Sequence, residues 1–533
     1  MNQKPLETEL KLVLPGPEAE ETVIAHIRGK GYRVKALKPV RNCDLYLDTF
    51  DWSLMKKKLA LRYRRTDGGA MYTLKGMGAI EDGIAKRMEI ETPLEGPAAS
   101  PAEISVKQIR EEIEGIVYPR KLLEQVQVRT DRRLYRVASP EGARIELAFD
   151  ASGFSARGLN KPRRARRVYE LEAELLGGPE AALNSLSALL SEQFGFSPSP
   201  ASKFETAVER LRITIPARKP PEKYTVRLDD RLDLAARKII AHQFMRFKEQ
   251  LPGVRRDIDT EFVHQARVAT RRMRSALRLF REAIPQSAGD FFGGELEWLG
   301  GLFGAVRDLD VFLLNLARFR ERIDRFPAGE KEAFDLRIGE YRAAPLATLG
   351  AALESPRYIS FERRLLRFLE ARISARPRAP LAIKPVREAA PAIIRKRLAA
   401  VIGQGQKVLA NPKLKQFHRL RIRMKRLRYA CEFMAPAYDG ALDPFIEKTV
   451  EIQDCLGEIQ DTVFTRGFID GLFKDWKGRL VEPEMVFILG ELYQLQGEIS
   501  RDRREEFAGI WERFAAAETA GKIEEILAGQ RAD

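Results

Sequence analysis

The chain has 533 residues, 44% hydrophobic and 32% charged, with a net charge of +16. Length alone allows three to four domains of about 150 residues, and this much apolar material fills more than one core, which excludes a disordered or fibrous chain. Three cysteines (Cys43, Cys431, Cys455), no CxxC or HxxxH pair, no apolar signal core in MNQKPLETELKLVLP and no uncharged apolar run of about 18 residues argue against a disulfide framework, zinc, secretion and a membrane span.

A soluble cytoplasmic protein is therefore expected. The charge is uneven: residues 1–210 hold 34 basic and 30 acidic side chains, and residues 211–533 hold 58 and 46. A basic balance of this size favours an anionic partner without choosing among nucleic acid, membrane surface and phosphate polymer.

Residues 1–208 read mainly as strands. Glu7, Glu9 and Lys11 alternate with Leu6, Thr8, Leu10 and Leu12, and the same period of two returns at 59–65, 71–75, 87–91, 144–149 and 168–175. Short helices are expected at 18–30, 103–114 and 180–193. The stretch 151–167, with Lys161, Arg163, Arg164, Arg166 and Arg167, reads as a long basic solvated loop. Residues 209–228, rich in Pro and Lys, read as a linker.

From 229 to 525 the pattern is helical, and a Pro-rich break at 376–391 divides it into halves of about 229–375 and 390–525. The halves are related. His264, Arg267, Arg271, Arg272 and Arg274 correspond to His418, Arg421, Lys425, Arg426 and Arg428, each pair 154 positions apart, and Gly304 and Asp308 correspond to Gly457 and Asp461. A repeat of this length implies duplicated bundles about a pseudo-twofold axis rather than a short-period solenoid.

Alternating charge on one strand is ordinary for a solvated sheet. Here five strands carry it: Glu7, Glu9 and Lys11; Arg62 and Arg64; Lys75; Arg87, Glu89 and Glu91; Glu170, Glu172 and Glu174. If the sheet closes, one face becomes a lumen of both signs. Clustered carboxylates there suit a hard divalent cation, and Lys and Arg suit phosphate oxygens. No Ser, Cys or His nucleophile stands out, and there is no GxxxxGK[ST] loop.

Glu7-x-Glu9-x-Lys11 followed by Tyr46-Leu-Asp48-Thr49, Leu61-Arg62-Tyr63-Arg64, Thr73-Leu74-Lys75-Gly76, Arg87-x-Glu89, Ile145-Glu146-x-x-x-Asp150, Glu170-Leu-Glu172 and Ser202-Lys203-Phe204 resembles the CYTH domain, the triphosphate tunnel metalloenzymes. The resemblance implies an eight-stranded antiparallel barrel forming a tunnel, and hydrolysis or cyclisation of triphosphates with Mg²⁺ or Mn²⁺. It gives Glu7, Glu9, Asp150, Glu170 and Glu172 as metal ligands, with Glu7, Glu9 and Lys11 central to catalysis. It gives Lys11, Arg62, Arg64, Lys75, Arg87, Arg132 and Lys203 as substrate holders, and Glu146 and Glu89 as supports behind them. Arg129 and Arg132 have opposite parity, so one of them faces the lumen; Arg132 fits the family pattern better.

In the helical part, His264, Arg267, Arg271 and Arg274 share one helix face, and His418, Arg421, Lys425 and Arg428 repeat it. Segment 411–430 has eight Lys or Arg and no acid. A single stripe of this kind is usually a solvated face paired with neighbouring acids. Two of them, both beginning with His, describe a basic cleft for a linear polyanion. HxxRxxxRRxR and HxxRxxxKRxR with the two Gly-x-x-x-Asp segments resemble the CHAD family, the conserved histidine α-helical domain, which implies two four-helix bundles that bind inorganic polyphosphate. His242 reads as structural.

The expected class is thus α+β followed by all-α: a tunnel barrel, then duplicated four-helix bundles. The expected activity is divalent-metal-dependent hydrolysis of inorganic triphosphate, with long-chain polyphosphate held by the helices. An adenylyl cyclase or nucleoside or thiamine triphosphatase on the same tunnel is one alternative. A non-enzymatic polyphosphate-binding protein of polyphosphate granules is another. Nucleic acid ranks last, for want of a recognition-helix layout or interleaved aromatics.

Overall fold

The computed structural model describes residues 6–66, 69–76, 80–81, 84–93, 104, 106–117, 120–157, 162–179, 181–199, 201–215, 225–320, 328–377, 379–477 and 483–529. It divides into two units, residues 1–219 and 220–533.

The first unit runs β1 (Leu6–Leu14), α1 (Ala19–Gly29), β2 (Arg33–Ala36), β3 (Val40–Asp48), α2 (Ser53–Lys56), β4 (Leu59–Thr66), β5 (Gly69–Gly76), β6 (Ile80–Glu81), β7 (Ile84–Pro93), α3 (Lys107–Val117), β8 (Leu123–Ala138), β9 (Arg144–Arg157), β10 (Pro162–Gly177), α4 (Ala181–Phe194) and α5 (Lys203–Arg210). The hydrogen-bonded order is β1-β10-β9-β8-β3-β4-β5-β7, and β7 pairs again with β1. Eight antiparallel strands therefore close on themselves, with β2 added at β8 and β6 at β7.

The alternation is turned inside out relative to a solvated sheet. Apolar residues point outward and are covered by helices: α1 and α4 pack on Leu10, Leu12, Ile145, Leu147 and Leu171, and α3 packs Ile109 and Ile113 with Leu61, Leu74 and Ile90. The charged residues point inward, where Lys11 is 4% exposed, Asp150 2% and Glu170 1%. Burial of charge at this level is sustained only by mutual pairing, and this separates a lumen from a wet face.

Helix α5 fills one region of the interior. Ser202 opens it with a capping box, accepting from Glu205 N while Glu205 accepts from Ser202 N. Phe204, Ala207 and Val208 then pack with Tyr46, Val126, Val128 and Phe154, with the Tyr46 and Phe204 rings stacked at 4.6 Å.

The stretch 151–167 is not a loop. Strands β9 and β10 extend to Arg157 and from Pro162, paired Ala165 to Phe154 and Arg164 to Ser155. A bulge between Ala165 and Val168 breaks the period of two, and Arg164, Arg166 and Arg167 are exposed on this arm. Lys161 lies outside the described residues.

The second unit is helical: α6 (Leu232–Arg255), α7 (Thr260–Leu279), α8 (Gln286–Arg320), α9 (Ala328–Glu354), α10 (Pro356–Glu370), α11 (Val386–Ala410), α12 (Leu414–Met434), α13 (Asp443–Asp475), α14 (Pro483–Ala515) and α15 (Ala517–Gly529). Each half has four long helices and a shorter fifth. The break between them is shorter than the Pro-rich run suggests, because α11 begins at Val386 and carries Pro391 inside it. One apolar core spans both halves, from Phe244 and Phe303 to Phe417 and Ile452. No described helix is long and apolar enough to cross a membrane.

Candidate functional site

The barrel interior holds a cavity of about 230 Å³ lined by Lys11, Tyr46, Arg62, Arg64, Lys75, Glu91, Arg132, Glu146, Ala148, Glu172, Glu174, Ser202 and Lys203. Strand register brings these together. Lys11 stands beside Glu172, and Arg132 beside Asp150. Arg132 donates to Asp150 through Nε at 2.8 Å and Nη2 at 2.6 Å, and also to Glu172. Lys203, at the first turn of α5, reaches Asp150 at 2.7 Å and contacts Glu172. Lys11 lies 3.2 Å from Glu172 and 3.5 Å from Glu170.

A second cluster follows on β3, β4 and β5. Arg64 makes a two-pronged contact with Asp44 at 2.7 and 2.9 Å. Arg62 donates to Thr73 at 3.0 Å and to Glu91 at 3.1 Å. Arg129 sits on the exposed face, opposite in parity to Arg132.

Burial would raise the Glu172 carboxyl, but Lys203, Lys11 and Arg132 outweigh it and hold it well below the usual carboxylate range. Burial would lower Lys203, yet Asp150 and Glu172 raise it above the usual ammonium range. Glu172 and Lys203 are therefore charged at neutral pH, with cations already fixed around a space of phosphate size.

Glu7, Glu9 and Arg87 are described in backbone only. Glu9 is paired in register with Glu174, and Glu7 with Arg87; their side chains, and that of Glu89, lie outside the described residues. Among the described residues no three His, Cys, Asp or Glu side chains gather as a metal-type cluster. Asp150 and Glu172 accept hydrogen bonds from cations; Ser199 donates to Glu170 Oε1 at 3.2 Å, and the buried Glu170 Oε2 has no hydrogen-bond donor and lies 3.5 Å from Lys11 Nζ. That oxygen, with the backbone register that sets Glu9 opposite Glu174, is carboxylate chemistry of the kind a hard divalent cation takes.

The helical unit brings the two stripes to one place. His264, Arg267 and Arg271 of α7, Arg307 of α8, and Arg421 and Lys425 of α12 form one basic cluster, near enough to act on one another's charge, with Asp461 of α13 among them. Burial, then Arg307, Arg271 and Arg267, pushes His264 down to about 4. Burial, then Arg271 and Arg421, pushes Lys425 down to about 7 against the pull of Asp461. Arg271 Nε, Arg307 Nη1 and Arg421 Nε are buried without hydrogen-bond partners. The charge is only thinly compensated: Asp308 accepts from Arg267 at 3.2 Å, and Gly304 lacks the Cβ that would lie 2.9 Å from the Arg267 guanidinium. His418 contacts Gln460 at 2.6 Å. Arg274 and Arg428 turn instead to Glu297 (2.7 Å) and Glu432 (2.6 Å), so the far end of each stripe is neutralised.

Sequence reasoning did not assign Asp44, Tyr46 or Ser202 to the tunnel, nor Arg307 and Asp461 to the basic cluster. Asp44 and Tyr46 alternate along 40–48 and could have been found by parity. Arg307 directly precedes Asp308 in the repeated segment, where the second half has Gln460.

Comparison with known proteins gives the class. The CYTH domain model matches residues 5–207 and the CHAD domain model matches residues 238–470. The chain thus carries a CYTH domain followed by a CHAD domain. Uncharacterized proteins of Mycobacterium tuberculosis strains CDC 1551 and H37Rv are each 26% identical over 502 residues, 88% of this chain and 89% of theirs. Among solved structures, the CHAD domain from the plant Ricinus communis is 24% identical, with TM-score 0.45, over 55% of this chain and 96% of its own. A putative adenylyl cyclase from Hippeastrum, described as having a dominant triphosphatase activity, is 23% identical, with TM-score 0.29, over 38% of this chain and 95% of its own.

Proposed function

We propose that the barrel hydrolyses inorganic triphosphate in a divalent-metal-dependent reaction, and that the helical unit binds polyphosphate. The observation that carries the first part is the lining of the 230 Å³ cavity: six cations, Lys11, Arg62, Arg64, Lys75, Arg132 and Lys203, converge on it from five different elements. Phosphoryl transfer needs positioning and charge stabilisation more than covalent chemistry from the protein. Lys203, Arg132 and Lys11 would hold one end of the chain, and Arg62, Arg64 and Lys75 the other. Tyr46 and Ala148 give little apolar surface for a nucleobase, which favours an inorganic chain over a nucleotide.

Glu170, Glu174, Glu7 and Glu9 are the carboxylates that would hold Mg²⁺ or Mn²⁺. The bound metal would supply charge neutralisation and a more acidic water. Glu172, held ionised, and Asp150 keep Lys203 and Arg132 oriented. The thinly compensated cluster on α7, α8 and α12 supports polyanion binding by the second unit.

Phosphate release from tripolyphosphate, pyrophosphate, ATP and long-chain polyphosphate, each with and without Mg²⁺, tests the reading. Tripolyphosphate should be turned over fastest, and only with metal. Undiminished turnover in excess chelator, or ATP as the better substrate, would overturn it.

A further inference from the structure

The two halves of the helical unit correspond residue by residue: α6 and α11 begin at Leu232 and Val386, and α7 and α12 at Thr260 and Leu414, both pairs 154 positions apart. The correspondence fails at one contact. Arg272 of α7 donates to Glu432 of α12 at 2.5 Å and lies 5.3 Å over the rings of both Tyr429 and Phe433. One repeat away, Arg426 takes the place of Arg272. Arg278 then stands where Glu432 was, and Ser275 and Leu279 stand where the two rings were. The acid has become a second cation, and Ser275 and Leu279 offer Arg426 no ring to lie over.

A cavity of about 360 Å³ lies at this second contact, lined by Arg278, Arg281, Arg397 and Arg426 beside Tyr429 and Phe433. Arg397 is itself a departure, because the first half has the buried Gln243 at that position. Arg397 Nε is buried with no hydrogen-bond partner. Arg278 and Arg397 are both lowered, by burial first, then by Arg274 and Arg426 for Arg278 and by Arg426 for Arg397. The acids nearby are spent or exposed: Glu297 pairs with Arg274 at 2.7 Å, and Glu282 lies 3.7 Å from Arg281. Like charges gathered in this way cost folding energy unless an anion joins them.

We infer that this pocket is a second phosphate-binding site of the helical unit, separate from the histidine-bearing cluster, and that it takes the end of an oligophosphate. Planar guanidinium forks suit phosphate oxygens. The occupant is either a free short oligophosphate or the overhanging end of a long chain lying on that cluster. The inference goes beyond the polyanion reading of the stripes and does not need it.

The test is calorimetric titration of the full chain in excess chelator, with tripolyphosphate and with long-chain polyphosphate. Arg278→Glu restores the acid that the other contact has, and should pair with Arg426. It is expected to remove one of the tripolyphosphate equivalents that the wild type binds. An unchanged stoichiometry with long-chain affinity lowered tenfold or more would identify the occupant as a chain end. Arg397→Gln, which copies the first half, guards against a folding defect in the first variant and should act in the same direction. If both variants leave stoichiometry and long-chain affinity unchanged, the pocket is not a site. Arg267→Ala with Arg421→Ala should spare the equivalent that Arg278→Glu removes. If they remove the same one, there is a single site and the inference fails, whatever becomes of the polyphosphate reading.

Discussion

Replacing Lys203 by Met keeps the stem of the side chain and deletes the ammonium that lies between Asp150, at 2.7 Å, and Glu172. Lys203 is 8% exposed and Asp150 2%, so the carboxylates lose a cation in a place water does not readily reach. Breaking a buried pair costs roughly 3–5 kcal/mol. Arg132 still serves both acids and Lys11 still faces Glu172, which puts the expected loss at the lower end, about 3 kcal/mol. That corresponds to about a hundredfold drop in amide protection where exchange reports barrel opening. Hydrogen exchange of β9 and β10 peptides, read by mass spectrometry, isolates the barrel from the helical unit.

The effect has a pH signature. The folded Glu172 carboxyl is depressed, so its stabilisation is full above the unfolded value of about 4.3 and is lost as pH falls through the lower folded value. The gap between wild type and variant should be widest at pH 7 and close below about pH 4. Equal protection of β9 and β10 in the two proteins at pH 7 would mean that Lys203 does not hold the acids, and the inward placement of α5 would be wrong.

Four further outcomes are expected. Lys425, lowered to about 7, should take up a proton when a polyanion binds at pH 8, seen as buffer-dependent heats; uptake that persists in Lys425→Met would refute the assignment. Without ligand, the same lowered group makes the helical unit gain stability as pH rises from about 7 towards the unfolded lysine value near 10.4. Arg342→Met removes the cation between Asp257 (2.7 and 2.8 Å) and Asp310 (2.5 Å). Asp310 is 1% exposed, so a loss of roughly 3–5 kcal/mol is expected, read as a lower Tm; an unchanged Tm sinks it. Replacing Arg267, Arg271, Arg421 and Lys425 together by Ala should leave triphosphate turnover intact and flatten the salt dependence of polyphosphate binding by about 3 log–log units, at roughly 0.7 per lost contact as for single-stranded nucleic acid. A slope that does not change places the ligand elsewhere.

Strands β4, β5 and β10 were legible because the lumen imposes a strict period of two, with Arg62 and Arg64 or Glu170, Glu172 and Glu174 on one face and apolar residues on the other. The stripes on α7 and α12 were legible because a duplicated spacing of 154 is improbable without duplicated structure. The β9–β10 arm was not. Its Arg164, Arg166 and Arg167 are all exposed, and the bulge after Ala165 shifts the phase, so no alternation survives to be read. Partner choice was also hidden. Nothing local says that Arg64 answers to Asp44, or that Arg342 reaches back to Asp257, because the first pair is set by the register of β3 on β4 and the second by how α9 packs against the turn between α6 and α7.

The barrel closes through its first strand, which has consequences for the order of assembly. Strand β1 pairs with β7 on one side and β10 on the other, with Glu9 opposite Glu174, and makes a further bridge from Leu12 to Pro198. A growing chain can pair LETELKLVL with β7 on one side, but must leave its other edge open until residue 177 has been made. Closing so long a loop is slow, since its entropy is lost before any contact rewards it. The alternating Glu7, Glu9 and Lys11 would meanwhile discourage edge-to-edge association of the waiting strand. A chain cut after β9 is expected to leave β1 bonded on one side only, with rapid amide exchange there. The carboxylates proposed to hold the metal lie on both sides of this last seam, so the reactive centre would come into being in the same step that completes the barrel, and no partly folded chain could carry out the chemistry.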